Sequence, residues 1–389
     1  VAVAITLAVI LTRKRDTTEK TTMGTTSVTT STMTLGLKST VTTRMTTSTF
    51  TANARWNQSG VTVAGGHGGG NATNQLSAPR GLFVDDDQTM VIADWANHRI
   101  IQWKMGDTNG QIVAGGHGSG NQLDQLFFPT DVLIDKETDS LIICDSVNRR
   151  VVRWSRRSGT TQGEILIDYS ICWGLAMDYQ RYLYISDDFK HEVRRYQIGD
   201  KNGTIVAGGN GEGAGLNQLN DPSYIFVDQE QTVYVSDGQN NRVMKWNKDA
   251  KEGIVAAGGQ GYGNALTQLS FPEGLFVDTL GTIYVADLLN RRVMRWPKEA
   301  KQGTDIVGGN GSGEGANQFT NPIGLSFDPH GNLYVVDRVT TYFVKPVLPL
   351  QINHFLSSRE DRYIYKCIND EQPTIRTLTA TKIILSQRQ

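Results

Sequence analysis

The feature that most constrains this chain is that it repeats itself. The stretch PEGLFVDTLGTIYVADLLNRRVMRW, from Pro272 to Trp296, recurs with its landmarks in register in four other places and, decayed, in a sixth. Its second landmark acid falls at Asp94, Asp145, Asp187, Asp237, Asp287 and Asp337, at intervals of 51, 42, 50, 50 and 50 residues. A fixed period of that size marks an array of small supersecondary units, each unable to bury its own apolar face.

Within the fifth unit, GLFVD (Gly274–Asp278), TIYVAD (Thr282–Asp287) and RVMRW (Arg292–Trp296) follow a GIVAAGG run that starts at Gly253. These short runs of β-branched and aromatic residues, broken by Gly, Asn, Asp and Pro, are strand composition rather than a 3.6-residue helical pattern. The first two are apolar at nearly every position, so both faces of each small sheet must be covered. Radial stacking covers them, and roughly 40–50 residues per four-stranded unit is the propeller signature. The expected fold is all-β: a six-bladed β-propeller with four-stranded antiparallel blades. Strands a (GLFVD), b (IYVAD) and c (RVMRW) occur six times, the last at Gly324–Asp328, Leu333–Asp337 and about Tyr342–Val347. No d strand of the IVAGG type follows them, whereas one stands in front of the first unit, at Val61–Gly66. The N-terminal strand is therefore expected to close the last blade and remove an open sheet edge.

The pattern P-x-G-L-x-V-D, then I/V-Y-V-A/S-D, then N-x-R-V and W, resembles the NHL-repeat β-propellers over about Val61 to Val347. Its triplets are Asn97-His98-Arg99, Asn148-Arg149-Arg150, Asn240-Asn241-Arg242 and Asn290-Arg291-Arg292. The third unit departs, reading DDFKHEV from Asp187, and so does the sixth, reading DRVTTYFV from Asp337. The resemblance implies a binding propeller. Its alternatives are a metal-dependent propeller enzyme, similar to a peptide-amidating lyase or a lactonase, with calcium or zinc in the channel, and a substrate- or RNA-binding module similar to those of tripartite-motif ubiquitin ligases.

Asp94, Asp145, Asp237 and Asp287 each precede an Asn by three residues, and regular recurrence favours a structural role. The carboxylate would accept backbone N–H groups in the b–c hairpin, with Asn97, Asn148, Asn240 and Asn290 in a turn. Arg99, Arg150, Arg242 and Arg292 would pair with an acid. Trp103, Trp154, Trp246 and Trp296, with Tyr196, read as wedges between blades. The residues that vary inside the hairpins are the expected binding rim, since loops on a rigid scaffold carry function: Trp95 and His98 in the first unit, Arg149 and Arg153 in the second, Leu288 and Arg291 in the fifth.

The Gly-rich stretches such as GGHGGGN (Gly65–Asn71) lack the Lys-Ser/Thr and following helix of a phosphate loop and read as d-to-a connections. His67 and His117 are equivalent loop positions, too few for a metal site of three or four ligands. No catalytic residue, metal ligand or cofactor is expected. Thirty-eight basic against 39 acidic side chains point to no nucleic-acid partner. Cys144 and Cys172 could bridge adjoining blades or stay reduced. Residues 1–15, VAVAITLAVIL followed by a basic cluster, read as the remnant of an apolar membrane or signal-anchor segment. Residues 16–55 read as a disordered stalk, because 17 Thr and 4 Ser fill 36 positions from 16 to 51. The propeller is expected over 56–349, with 350–389 a tail of unknown structure. The resulting expectation is a single-pass membrane protein with an extracellular, non-catalytic propeller that binds a protein or glycan, glycosylated at sequons beginning at Asn57, Asn71, Asn202 and Asn310.

Overall fold

The structure is a computed structural model that describes residues 55–168, 170–338 and 362–367. By its contacts the chain divides into Val1–Arg44 and Met45–Gln389, and the described residues all belong to the second unit.

Five stretches of continuous chain each form a four-stranded antiparallel blade. Blade one comprises Pro79–Val84, Met90–Asp94, Arg99–Trp103 and Gln111–Gly115. Blade two comprises Pro129–Asp135, Ser140–Asp145, Arg150–Ser155 and Glu164–Ile167. Blade three comprises Leu175–Met177, Leu183–Asp187, Glu192–Tyr196 and Thr204–Gly208. Blade four runs Pro222–Val227, Val233–Asp237, Arg242–Trp246 and Ile254–Gly258, and blade five Pro272–Val277, Ile283–Asp287, Arg292–Trp296 and Thr304–Gly308. In blade five the b–c register pairs Ile283 with Trp296 and Asp287 with Arg292. The a–b pairing carries a bulge between Pro272 and Leu275, which adds local twist.

The expectation of six like blades is corrected here. The described residues contain five contiguous four-stranded blades, not six. The last repeat unit supplies only Pro322–Phe327 and Leu333–Arg338. These enter a composite closing sheet whose order is Val61–Gly65, Arg362–Cys367, Leu333–Arg338, Pro322–Phe327. The N-terminal strand is its outer edge, but its partner is Arg362–Cys367, paired through Val61↔Lys366 and Gly65↔Tyr363, rather than the expected c strand near 342–347. The reason lies in the sequence after Asp337. This unit has no Asn or Arg at the positions that, in units one, two, four and five, hold the b strand to the c strand. The expected c strand falls outside the described residues.

Apolar side chains pack between neighbouring sheets, and each junction holds a large aromatic ring. Trp103, Trp154, Tyr196, Trp246 and Trp296 supply it at five junctions. Nine residues after Asp337, where that ring should stand, the sequence has Pro346. At the junction of blade five with the closing sheet the ring is Trp56, from the opposite end of the chain. Its Nε1–H donates to the Gly331 carbonyl at 2.9 Å, and its ring meets Tyr284 edge-on at 5.6 Å.

Candidate functional site

Blades one, two, four and five begin the a strand and make the b–c hairpin at the same face, because the residue that opens the a strand pairs with the acid that ends the b strand: Pro79 with Asp94, Pro129 with Asp145, Pro222 with Asp237, Pro272 with Asp287. These four hairpins are built alike. In blade one, Asp94 accepts the Ser77 N–H at 2.6 Å, the Asn97 amide at 2.7 Å and Arg99 Nε at 2.7 Å. Arg99 then spends its remaining donors on the carbonyls of Asn71, Ala72 and Gln75, at 2.8 to 3.0 Å. Asp145 with Asn148 and Arg150, Asp237 with Asn240 and Arg242, and Asp287 with Asn290 and Arg292 repeat the pattern. These arginines clamp the Gly-rich d-to-a loop against the hairpin. Blade three substitutes Asp187 accepting the N–H groups of Phe189 and Lys190. In the closing sheet Asp337 accepts the N–H of Asn321 at 2.7 Å, and burial pushes its carboxyl up to about 7.

The hairpin residues expected to form one rim have different surroundings. Arg149 and Arg291 are exposed, and both sit in the left-handed region, at φ 53° and 56°. That conformation is uncommon outside Gly; here each residue's carbonyl is held by a backbone N–H, from Ser170 and Gly309. His98 occupies the equivalent position at φ 55°, but it is a tie between blades. Its Nδ1 accepts the Phe128 N–H at 3.2 Å, and burial holds the imidazole below its ordinary pKa. Leu288 is 0% exposed and packs in the junction of blades four and five, so it does not belong to the rim. Arg153 stands in the c strand and pairs with Glu164 across the blade, away from the hairpin. Trp95 is half-buried, stacked on Phe128 with 4.0 Å between ring centroids.

Trp95 leads to a group of residues that sequence reasoning missed. The Arg80 guanidinium lies 5.0 Å from the Trp95 ring centroid and 4.4 Å from that of Trp173. Arg80, Tyr224 and Glu273 occupy the second or third position of the inner strands of blades one, four and five, and Trp173 lies two residues before the inner strand of blade three. Those strands stand side by side: a Cβ on Gly324 would come within 2.4 Å of the Arg80 carbonyl, and one on Gly274 within 2.2 Å of the Ile323 carbonyl. Arg80 is 6% exposed, Tyr224 7% and Glu273 1%. Nevertheless Arg80 Nε, Trp173 Nε1, the Tyr224 hydroxyl and Glu273 Oε2 are buried with no hydrogen-bond partner among the described residues. Most buried polar atoms have one. Burial pushes the Glu273 carboxyl up to about 7 against the opposing charge of Arg80. Asp131, from blade two, is also pushed up to about 7 by burial, although its carboxylate accepts the Leu175 N–H at 2.8 Å. Burial lowers the pKa of Arg80, while Tyr224, Glu273, Asp188 and Asp221 act to raise it.

Cys144 and Cys172 are joined in a disulfide, with 5.5 Å between Cα atoms. It ties the b strand of blade two to the residue that precedes Trp173. Among the described residues no three His, Cys, Asp or Glu side chains converge as metal ligands, and no helix is long and apolar enough to cross a membrane. The apolar segment 1–11 lies outside those residues.

Neither a scan against protein-family models nor a search of curated proteins finds a match. Solved structures do match, at low identity. A protein of unknown function from Bacteroides thetaiotaomicron is 15% identical, with 81% of this chain and 77% of that one covered and a TM-score of 0.59. An auxiliary nutrient binding protein from the same organism is 14% identical, over 84% of this chain and 75% of that one, at a TM-score of 0.53. The PQQ-bound form of an aldose sugar dehydrogenase from Streptomyces coelicolor is 14% identical, over 82% and 99%, also at 0.53. At such identities the likeness is one of fold alone: the chain is a β-propeller.

Proposed function

We propose that this chain is a non-catalytic binding propeller of the NHL type, which meets a protein or glycan partner on the face that carries the b–c hairpins. The observation that carries the reading is Arg80. It is a buried guanidinium in contact with two tryptophan rings and without a hydrogen bond or ion pair to any described residue. Around it, Arg149 and Arg291 present exposed cationic side chains from hairpins whose frames are locked by the Asp–Asn–Arg networks. Trp and Arg are the residue types most enriched at binding hot spots. The buried Cys144–Cys172 bridge suits an oxidising compartment, which supports an extracellular propeller held on the Thr-rich stretch as a stalk behind a membrane segment.

The test is a binding comparison on glycan arrays and on intact cells, using the labelled full chain and its Arg149→Ala and Arg291→Ala variants. Both side chains are exposed, so melting temperatures should stay within about 2 °C of wild type. Binding should weaken more than tenfold, equivalent to about 1.4 kcal/mol. Variants that bind as wild type would remove the hairpin face from consideration.

A further inference from the structure

We infer that the axial cluster is an anion site, and that the group it takes is a single carboxylate with a hydrogen-bond donor beside it. The inference rests on the hairpin face being where the ligand is met. It starts from Arg80, since a buried charge without a partner is a large expense for a fold unless something of opposite charge joins it. No carboxylate among the described residues is within ion-pairing distance of its guanidinium. Contact with the rings of Trp95 and Trp173 holds the group in place, and stacked guanidinium groups keep their N–H directions in the plane.

The inventory of unused atoms then specifies the ligand. Arg80 Nε–H, Trp173 Nε1–H and the Tyr224 hydroxyl offer three donors, and Glu273 Oε2 offers one acceptor. A carboxylate accepts through two oxygens and suits the donors; Glu273 calls for an N–H or O–H on the same ligand. The surrounding charge favours a singly charged anion. Glu273, Asp188 and Asp221 already act on Arg80, so a phosphate dianion would add repulsion that a carboxylate avoids. Size follows from burial, because Arg80, Tyr224 and Glu273 are each less than 8% exposed and only the small charged end of a ligand can enter among them.

Isothermal titration of the full chain with lactate, acetate, methyl lactate and inorganic phosphate tests this, with tryptophan emission as a second readout. Lactate should fill one site with a Kd on the order of 1 mM and change the emission of the rings beside Arg80. Acetate, lacking the donor, should bind about fivefold more weakly, and methyl lactate, lacking the charge, more than tenfold more weakly. Arg80→Gln should lose lactate binding more than tenfold. Tyr224→Phe, which keeps the ring, should lose it about fivefold and serves if Arg80→Gln does not fold. No lactate binding to wild type, or undiminished binding to both variants, would overturn the anion site. Phosphate binding more tightly than lactate would overturn the carboxylate, and equal binding of acetate would overturn the neighbouring donor. Arg149→Ala and Arg291→Ala do not touch the cluster and should bind lactate as wild type does. Their loss of partner binding therefore tests the hairpin face separately.

Discussion

Blade one contains two buried arginines, Arg99 and Arg80, 3% and 6% exposed. Arg99 makes four hydrogen bonds, one to the Asp94 carboxylate and three to loop carbonyls. Arg80 makes none with the described residues and is held by two aromatic rings. The first kind of arginine recurs at Arg150, Arg242 and Arg292, whereas the units supply Thr130, Trp173, Ser223, Glu273 and Ile323 at the position of Arg80. A satisfied buried charge that repeats belongs to the scaffold. An unsatisfied one, which does not repeat, marks the place where the scaffold has something left to bind.

The largest effect should come from breaking the satisfied network. Arg99→Ala leaves Asp94 buried and unpaired and frees three loop carbonyls, which should cost about 3–5 kcal/mol. Equilibrium denaturation measures it, and a loss below about 1 kcal/mol would mean that the networks are ornamental. Trp56→Ala sharpens a second contrast, between the five blades closed by local sequence and the closing sheet completed from a distance. If Trp56 is the missing wedge, its loss should cost about 3–4 kcal/mol, close to the cost of Trp296→Ala. A small effect for Trp56 beside a large one for Trp296 would show that the closing junction does not need the ring.

A smaller effect depends on pH. The folded-state pKa of Glu273 lies above its unfolded value, so the folded chain holds a proton that the unfolded chain releases. Stability from this group is therefore fully present below about 4.5 and falls as pH rises to about 7. Glu273→Gln cannot ionise. Its unfolding free energy should match wild type near pH 4.5 and exceed it at pH 8, by about 3 kcal/mol at most. Equal unfolding free energies at both pH values would place the Glu273 carboxyl in a more polar setting than its burial implies.

Most of the fold was legible in the sequence because a blade is a local object. Its strands, turns and hairpin acids lie within about fifty residues, and Asp287, Asn290 and Arg292 find one another inside a single turn. The recurring aromatic was legible for the same reason. Legibility failed where the repeat stopped recording the structure. Nothing in RYIYKC marks Arg362–Cys367 as the partner of Val61–Gly65, and Trp56 precedes the first recognisable strand. Leu288 was misassigned because the residue after the acid begins a 3-10 turn that points it into the junction, as the buried Gly238 does in blade four. The axial cluster was missed for a different reason. Arg80, Trp173, Tyr224 and Glu273 are spread over nearly two hundred residues and meet only when the ring closes. The available signal was the run of polar and aromatic residues just after the opening Pro or Cys of otherwise apolar strands.

The measurement that tests the central contrast most directly is the stability of Arg80→Gln, set beside that of Arg99→Gln under the same conditions. If Arg80 is a site residue held at the scaffold's expense, its replacement should leave the unfolding free energy within about 1 kcal/mol of wild type or raise it, while Arg99→Gln lowers it by at least about 2 kcal/mol. A loss for Arg80→Gln as large as that for Arg99→Gln would mean that both arginines serve the scaffold, and would contradict the contrast between them.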